Sequence, residues 1–311
     1  ITEKKTITNE NKIDSTKTET SLAEVKINAG SRIGIFKTIS DLDIHFRPIN
    51  NSQEVLRIVP GLFIGQHAGG GKAEQIFLRG FDLDHGTDIR LTVDGMPVNM
   101  VSHAHGQGYA DLHFVIPELI ERVDFKKGPY YADKGNFTTA GWVDFRTKNV
   151  LDQNFVKVEA GQFNTYRAVG AFNLLGQKAK ERNESMYVGG EYSYSDSYFD
   201  SPQHFRRVNA VTKYNRQFSS KSQLTLTAST FWSKWNHSGQ IPDRAVDSGQ
   251  ISFYGAIDDT EGGETSRSNV NAQLVTQLGH GVLKNQLFYS NYNFLLFSNF
   301  TFFKEDPVNG D

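Results

Sequence analysis

The sequence predicts a small α+β domain followed by antiparallel β-strands of membrane-spanning length. Up to about residue 148, short apolar segments of mixed periodicity are separated by glycine-rich stretches. Beyond that residue, segments of roughly ten residues alternate between apolar and polar side chains, as strands with two different faces do. No run of about 18 apolar residues occurs in either part, so the sequence contains no candidate transmembrane helix.

Composition excludes some classes of function. Of the 311 residues, 38% are hydrophobic and 22% are charged, as in an ordinary folded protein. The net charge of −2 argues against nucleic acid as a partner, because nucleic-acid-binding proteins usually present an excess of Lys and Arg. The absence of cysteine excludes disulfides and thiolate metal sites. The chain starts without an initiator methionine and stops in the loop-like stretch EDPVNGD, so we expect a fragment or a processed form.

Residues 1–30 are expected to form a flexible tail. The first twenty consist mainly of Thr, Lys, Glu and Asn, and they offer too little apolar surface to offset the entropy lost on ordering. One short apolar-containing segment, SLAEVKINA, follows at residues 21–29.

The α+β domain is expected to span residues 31–148. The segment NSQEVLRIVPG predicts a two-turn helix, and IPELIERV predicts a second short helix that runs from Pro117 to Val123. Strands are predicted in AEQIFLRGF, DIRLTVDG, ERVDFKKG and GWVDFRT, where apolar residues alternate. Asp94 and Gly95 predict a tight hairpin turn, because Gly accepts a positive φ and Asp tolerates one.

Residues 151–311 are expected to form about seven long strands. In MYVGGEYSYS, QLTLTASTFW and NVNAQLVTQL, apolar residues occupy one face and mainly Asn, Gln, Ser and Thr occupy the other. Alternation alone fits two architectures equally well, namely a soluble antiparallel sandwich with one wet face and an outer-membrane barrel.

Aromatic residues and loop lengths favour the barrel. Several aromatic residues cluster near strand ends, as in interfacial girdles: Tyr192, Tyr194, Tyr198, Phe199, Phe231, Trp232 and Trp235. The loops SDSYFDSPQHF and HSGQIPDRAVDSGQISFYGAIDDTEGGETSR are long, whereas the connections at FNTY and FSSKSQ, assigned to the opposite rim, are short. Long loops on one rim and tight turns on the other are typical of outer-membrane barrels.

Three stretches, taken in order, resemble the plug domain of the TonB-dependent outer-membrane receptors. They are IFLRGF at 76–81, LTVDGMPVN at 91–99 and PELIERVDFKKGPYYADKGNFTTAGWVDFRTK at 117–148. We assign structural roles in the plug to these motif residues: Arg79, Gly80, Asp94, Gly95, Glu121, Gly128 and Pro129. The resemblance implies a location in the bacterial outer membrane and a barrel of about 22 strands around the plug. The strands present here should then form only the N-terminal part of a barrel, an open sheet beside the plug.

The resemblance also implies partners. SLAEVKINA is similar to the TonB box, so these residues are predicted to couple to the periplasmic protein TonB: Leu22, Ala23, Glu24, Val25, Lys26 and Ile27. The further partners are outer-membrane lipid and a scarce external solute, such as a siderophore or metal chelate. No catalysis and no cofactor are expected, because TonB would deliver energy from the inner-membrane proton gradient.

Histidines are concentrated in the glycine-rich loops of the α+β domain. The predicted solute contacts are His67, Asp84, His85, His103, His105 and Tyr109. His103 and His105 form a His-x-His pair, which on a strand would aim both rings to one side and could hold zinc. A hydrogen-bonded structural role explains the same clustering without a ligand. Two alternatives to transport follow: a soluble β-rich adhesin or binding module, and a metal-dependent hydrolase that uses the His-x-His pair.

Overall fold

The computed structural model describes residues 37–40, 47, 49, 51–66, 69–82, 87–103, 108–302 and 304–306. The TonB-box-like segment at 22–27 lies outside these residues, as do four predicted solute contacts: His67, Asp84, His85 and His105. In the part of the chain so described, no helix is long and apolar enough to cross a membrane.

The N-terminal domain contains two small sheets. The strands are β1 Lys37–Ser40, β2 Leu62–Gly65, β3 Gln75–Leu78, β4 Phe81–Asp82, β5 Ile89–Val93, β6 Met96–Pro97, β7 Ile120–Lys127 and β8 Gly141–Thr147. A five-stranded sheet has the order β1-β7-β8-β5-β6, and a three-stranded sheet has the order β2-β3-β4. In the larger sheet β5 pairs with β8 in parallel, whereas its other pairs are antiparallel.

One apolar core holds these sheets together. Leu91 of β5 and Phe145 of β8 are completely buried, because both strands are central and covered on both faces. Val55 and Leu56 extend the same core from a 3-10 helix, Glu54–Ile58. Burial of this many aliphatic side chains makes the domain a folded unit rather than a set of loops.

Both helices predicted for this domain are shorter than expected. The first is the 3-10 helix Glu54–Ile58, which stops where Val59 takes an extended conformation. The second is a 3-10 helix of three residues, Pro117–Leu119, and the chain continues from Ile120 as β7. The predicted helix up to Val123 is wrong, because antiparallel pairing with β8 satisfies the backbone that a short isolated helix would leave partly unpaired. A third 3-10 helix, Ala132–Lys134, follows β7.

The C-terminal region forms a seven-stranded antiparallel sheet in sequential order. Its strands are β9 Phe155–Gly161, β10 Thr165–Asn173, β11 Glu184–Ser195, β12 Phe205–Ser219, β13 Ser222–Asn236, β14 Gly262–Leu278 and β15 Gly281–Phe297. Short α-helices, Gln177–Glu181 and Asp243–Asp247, lie in two of the connections. Among the described residues β9 and β15 are the edges of the sheet, which is therefore open, as predicted.

The two faces of this sheet have the polarity opposite to that of a soluble sandwich. Side chains that face the N-terminal domain are polar and buried, as Asn209 and Arg267 show at 2% exposure each. Apolar side chains of the other face are exposed, with Val208 at 43% and Val270 at 56%. The soluble-sandwich alternative requires the apolar face to be the buried one, so the structure contradicts it.

The inner face is also more charged than predicted. Beside Asn, Gln, Ser and Thr it carries buried ionic side chains, listed here by position: Arg167, Glu191, Arg207, Lys213 and Arg267. A face that lines a polar lumen tolerates such residues when they are paired, whereas a soluble core rarely does.

The placement of one turn differs from the prediction. Asp196 donates its N–H to the Phe163 carbonyl at 3.0 Å, so the β9–β10 turn at 162–164 lies beside the 196–204 loop. We call the rim formed by these two connections and the 237–261 loop the long-loop rim. The predicted position of FNTY on the opposite rim is therefore wrong. That short-turn rim carries the connections 174–183, 220–221 and 279–280.

Two of the predicted girdle aromatics face inward. Phe231 and Trp235 are each 1% exposed and lie on the same face of β13 as the buried Ser233. Tyr192 and Trp232 do face outward near the long-loop rim, with Tyr192 48% exposed. Alternate residues of a strand point to opposite faces of the sheet, so aromatic residues that are close in sequence are divided between the inner and the outer face.

Candidate functional site

A buried ion pair anchors the hairpin turn of the N-terminal domain to the sheet. Asp94 and Gly95 form the predicted turn with φ values of 48° and 76°. The Asp94 carboxylate accepts the Thr147 N–H at 3.0 Å and the Thr147 hydroxyl at 2.6 Å, and it lies 3.1 Å from Lys213 Nζ of β12. Burial raises the pKa of Asp94, but the Lys213 charge and the Thr147 hydrogen bonds outweigh burial and hold the pKa below its ordinary value. Asp94 is thus a carboxylate in the interior.

The backbone of the same turn is held by three amide side chains of the sheet. The Asp94 carbonyl accepts hydrogen bonds from Asn271 at 3.2 Å, from Gln286 at 3.1 Å and from Gln273. A Cβ atom on Gly95 would lie 2.8 Å from Gln286 Oε1. Glycine is required here both for its positive φ and for this close approach.

A second ionic cluster joins the end of the domain to the first strands of the sheet. Glu118 and Arg167 of β10 form a bidentate pair, with both N–O distances at 2.7 Å. Arg167 also donates to Glu191 at 2.6 Å, and Glu191 accepts from Arg207 at 3.1 Å. Burial raises the pKa of Glu118, but Arg167 outweighs burial and lowers it overall.

A buried histidine lies between two carboxylates at the same interface. His113 Nε2 is 3.1 Å from Glu74 Oε2, and its Nδ1 is 3.5 Å from Asp111 Oδ1. The sheet reaches this group twice, because Asn209 donates to the His113 carbonyl at 2.8 Å and Tyr292 donates to Asp111 at 3.0 Å. Burial lowers the pKa of His113, but Glu74 and Asp111 outweigh burial and raise it above 6.5.

Aromatic rings meet near the long-loop rim. His103 stacks on Tyr109, with ring centroids 4.4 Å apart and planes 13° apart. Phe294 of β15 lies 4.9 Å from His103, and Tyr292 lies 6.0 Å from it. Tyr109 is buried, and its hydroxyl accepts the Ala73 N–H at 2.9 Å. Among the described residues no group of three His, Asp or Glu side chains could hold a metal ion.

A model of the TonB-dependent Receptor Plug Domain family matches residues 32–142. The chain carries a TonB-dependent receptor plug domain. The N-terminal domain is therefore the plug, and the buried contacts above join the plug to the strands that follow it.

Solved structures show the same fold over most of the chain. The unliganded ferric citrate transporter FecA is similar, with a TM-score of 0.67 and 14% identity over 84% of this chain and 40% of that chain. FpvA of P. aeruginosa has a TM-score of 0.63 and 18% identity over 84% of this chain and 34% of its own. The siderophore receptor PirA from Acinetobacter baumannii has a TM-score of 0.60 and 17% identity over 83% and 40%, respectively. The chain thus spans well under half the length of these proteins.

Most of the remaining plug motif residues lie at turns. Arg79 and Gly80, with φ values of 56° and 83°, form the two-residue turn between β3 and β4, and both are exposed. Gly128 follows β7 with a φ of 86°, and a Cβ atom there would lie 3.3 Å from Arg79 Nη1. Pro129 comes next and is exposed, while Glu121 is a partly exposed residue of β7. The structure thus brings two separate motifs together at Arg79 and Gly128.

Two glycines of the glycine-rich segment, Gly69 and Gly71, pack against a tryptophan of the sheet. A Cβ atom on Gly69 or Gly71 would collide with the Trp235 indole ring. Gly70 donates its N–H to Gln203 Oε1 at 3.3 Å. Close packing against Trp235 explains why glycine occupies these positions, and this explanation does not require a bound solute.

Sequence interpretation missed the side chains of the sheet that hold the plug. Lys213, Arg167 and Arg267 were absent from the predicted site, although all three occupy inward positions of their strands. Arg267 donates to the Pro97 carbonyl at 3.2 Å and lies over the Phe114 ring, 4.5 Å from its centroid. The sequence does place each of these ionic residues on the polar face of an alternating strand. If another domain covers that face, a buried charge needs a partner on that domain, and this could have indicated the three residues.

Raising the pH through the folded-state pKa of His113 is expected to weaken the plug. That pKa lies above 6.5, so the stabilisation is complete below about 6.5 and is lost as the pH rises through the folded value. Because the pKa of Glu74 is lowered, the stabilisation that its carboxylate provides is lost only under acid conditions, below pH 4.5. Chemical denaturation of the full-length receptor between about pH 6 and about pH 9 would measure the decline. His113→Gln should flatten the slope, and an unchanged slope in this variant would assign the pH dependence to other groups.

Proposed function

We propose that this chain is part of a TonB-dependent outer-membrane transporter that imports a scarce solute. The supporting observation is the sheet with reversed polarity, whose buried face contacts the plug and whose exposed face lacks charge in its middle. A protein in water gains nothing from exposing such a band, whereas lipid acyl chains favour it.

The height of the uncharged band fits a membrane. On β12 the outward residues from Val208 to Tyr214 are uncharged, and Arg206 and Arg216 bound them. Ten residues at about 3.3 Å each cover about 33 Å, which a strand tilt of about 45° reduces to about 23 Å. The apolar band of outer-membrane barrels is about 25 Å tall.

The plug contacts suit a domain that has to move. Many of them are ion pairs and amide hydrogen bonds, such as Asp94–Lys213 and Glu118–Arg167. A small apolar cluster, in which Ile116 and Leu119 pack on Val169 and Tyr187, accompanies them. Water can replace polar contacts of this kind as they separate, whereas separating an apolar core would expose hydrophobic surface. TonB, pulling on the segment Leu22 to Ile27, would supply the work.

Ferric chelates are the favoured solute class. FecA is named as a ferric citrate transporter and PirA as a siderophore receptor. In this chain the partly exposed His103 lies near the long-loop rim beside Tyr292 and Phe294 of the sheet, and the buried Tyr109 supports it from beneath. Imidazole, phenol and aromatic faces together can contact both the oxygens and the rings of a chelate.

Uptake in the presence and absence of TonB tests the proposal. Cells that express the full-length receptor should accumulate a radiolabelled ferric siderophore only when TonB is present. The receptor should fractionate with the outer membrane and shift in electrophoretic mobility on heating. Recovery as a monodisperse protein without detergent would contradict transport and favour the binding-module alternative.

Loss of two plug histidines is expected to weaken solute binding. Replacing His103 and His105 together by Ala should reduce affinity by about tenfold or more, because the chelate loses two imidazole contacts. Titration of the purified receptor with ferric siderophores measures the change. His280→Ala is the matched control, since His280 is exposed in the turn at 279–280 on the short-turn rim. Unchanged affinity would leave both histidines with structural roles only.

A further inference from the structure

The connections of the long-loop rim carry far more negative than positive charge. They contain six aspartates at partly or fully exposed positions: Asp196, Asp200, Asp243, Asp247, Asp258 and Asp259. Arg244 is the one Lys or Arg in their sequence, and its guanidinium donates to the Phe302 carbonyl. The connections of the short-turn rim have the opposite balance, with these cations against the single carboxylate of Glu181: Lys178, Lys180, Arg182 and Lys221. The two rims of the sheet therefore differ in the sign of their charge.

The aspartates of the long-loop rim keep their negative charge. Within the described ranges none of them forms an ion pair with a Lys or Arg side chain, and neutral groups donate to them instead. Asp196 accepts hydrogen bonds from the Asn164 amide and the Tyr194 hydroxyl, both at 2.7 Å, and Asp258 accepts one from the Thr260 hydroxyl at 2.6 Å. These hydrogen bonds hold the pKa of Asp196 and of Asp258 below its ordinary value, so both are ionised at neutral pH.

A buried carboxylate next to these aspartates lacks a hydrogen-bond donor for one of its oxygens. Glu261 is 5% exposed, and its Oε1 accepts the backbone N–H of Asn299, whose side chain also donates to Asp258 at 2.8 Å. Glu261 Oε2 accepts no hydrogen bond from any residue that the structure describes. His237 Nδ1 lies 3.4 Å away, but it accepts the Gly239 N–H at 2.9 Å and so presents a lone pair to this oxygen. An ammonium group would supply both the donor and the compensating charge.

Exposed aromatic rings lie among the same aspartates. The Tyr198 ring centroid is 4.5 Å from that of Phe199, 5.7 Å from that of Tyr254 and 6.4 Å from that of Phe163. Tyr198 is 56% exposed and Tyr254 is 48% exposed. Asp200 donates its N–H to the Tyr254 carbonyl at 3.0 Å, which holds this aspartate beside the rings. Ring faces attract ammonium groups, and a neighbouring carboxylate adds Coulombic attraction.

We propose that the long-loop rim selects a ferric chelate that carries a protonated amine, so that the imported solute is cationic rather than anionic. The inference rests on the proposed function, because it names the class of ferric chelate that the receptor admits. A surface lined by charge of one sign raises the association rate of an oppositely charged ligand by about 10- to 10³-fold and slows a ligand of like charge. The aspartates supply this attraction, and Glu261 with the Tyr198 and Tyr254 rings supplies contacts for the ammonium group.

Three ferric chelates that differ only in one terminal group test the proposal on the full-length receptor. They are ferrioxamine B, whose free amine makes the complex cationic, its N-acetyl derivative, which is neutral, and its N-succinyl derivative, which is anionic. At about 50 mM salt we expect the affinity to fall at least about tenfold from the cationic to the anionic probe. The difference should largely vanish at about 0.5 M salt, because salt screens the charges of the exposed aspartates.

Two substitutions test which residues of the rim produce the preference. The double variant Asp243→Asn and Asp247→Asn should reduce the affinity ratio at least about threefold. The matched control, Asp152→Asn and Glu181→Gln, changes the net charge equally but removes exposed carboxylates near the short-turn rim, so it should keep the ratio. Tyr198→Leu should weaken binding of ferrioxamine B alone, by about two- to fivefold, because leucine keeps an apolar side chain without a ring face.

Several outcomes would overturn the charge selection. They are equal affinity for the three probes, tighter binding of the anionic probe, and binding of none of them. An equal loss of preference in the rim variant and in its control would also overturn it, because net charge rather than the rim would then decide. If the receptor still imports a ferric siderophore with TonB in any of these cases, the proposed function stands and only this inference fails. Absence of TonB-dependent uptake would contradict the proposed function itself.

Discussion

Replacing Val25 by proline is expected to abolish energised uptake while leaving solute binding intact. The segment Leu22 to Ile27 is predicted to add a strand to a sheet edge of TonB, so main-chain hydrogen bonds would supply most of the affinity. Proline removes one donor and restricts φ, and it disrupts an added strand more than any side-chain change would. Uptake of a radiolabelled ferric siderophore and equilibrium binding, measured on the same cells, separate the two effects.

A proline elsewhere in the tail provides the control. Lys12→Pro lies outside the predicted coupling segment and should transport normally. Normal uptake by the Val25→Pro receptor would show that the coupling segment lies elsewhere. Loss of binding together with uptake would show that the substitution damages the receptor rather than its coupling.

Replacing Lys213 by methionine is expected to destabilise the plug by about 3–5 kcal/mol, the cost of leaving a buried carboxylate without its cation. Lys213 is 1% exposed, and its ammonium group lies 3.1 Å from Asp94 Oδ2 and 2.7 Å from the Thr147 hydroxyl. Hydrogen exchange of the β5–β6 hairpin in the full-length receptor would measure the loss locally. Lys221→Met, an exposed lysine in the turn at 220–221, should leave exchange unchanged.

A double-mutant cycle separates the ion pair from the loss of packing. Asp94→Asn removes the charge that Lys213 compensates, so the double variant should be more stable than Lys213→Met alone. If both single variants and the double variant lose the same stability, the two groups act as one unit. If the stability losses of the two single variants add up to that of the double variant, Asp94 and Lys213 have no coupling energy, and the anchoring role assigned to Lys213 is wrong.

Local rules predicted those parts of the fold in which neighbours along the chain decide the conformation. The Asp94-Gly95 turn formed because two adjacent residues accept positive φ, and the seven strands formed because side chains alternate with a period of two. The helix from Pro117 to Val123 failed for the opposite reason. Residues 120–123 pair with β8, whose paired residues lie at 145–147, and no local pattern reports that partner.

The candidate site was less predictable than the fold. The plug motifs identified Asp94, but Lys213, Arg167 and Arg267 were missed because their partners are 49 to 170 residues distant. His113 was counted among the clustered histidines, yet only the folded structure places it between Glu74 and Asp111. Long-range pairing of charges depends on strand order and register, which a single sequence does not specify.

The sequence by itself determined that this protein has a plug-like domain followed by amphipathic strands, because turn chemistry and strand periodicity are properties of adjacent residues. Only the tertiary structure decided which face of the strands is covered. Alternation is symmetric between the two faces, so it cannot distinguish a sandwich with a wet polar face from a sheet whose polar face is dry. The plug, packed on the side of Asn209, Lys213 and Arg267, removes that symmetry and leaves Val208 and Val270 facing outward.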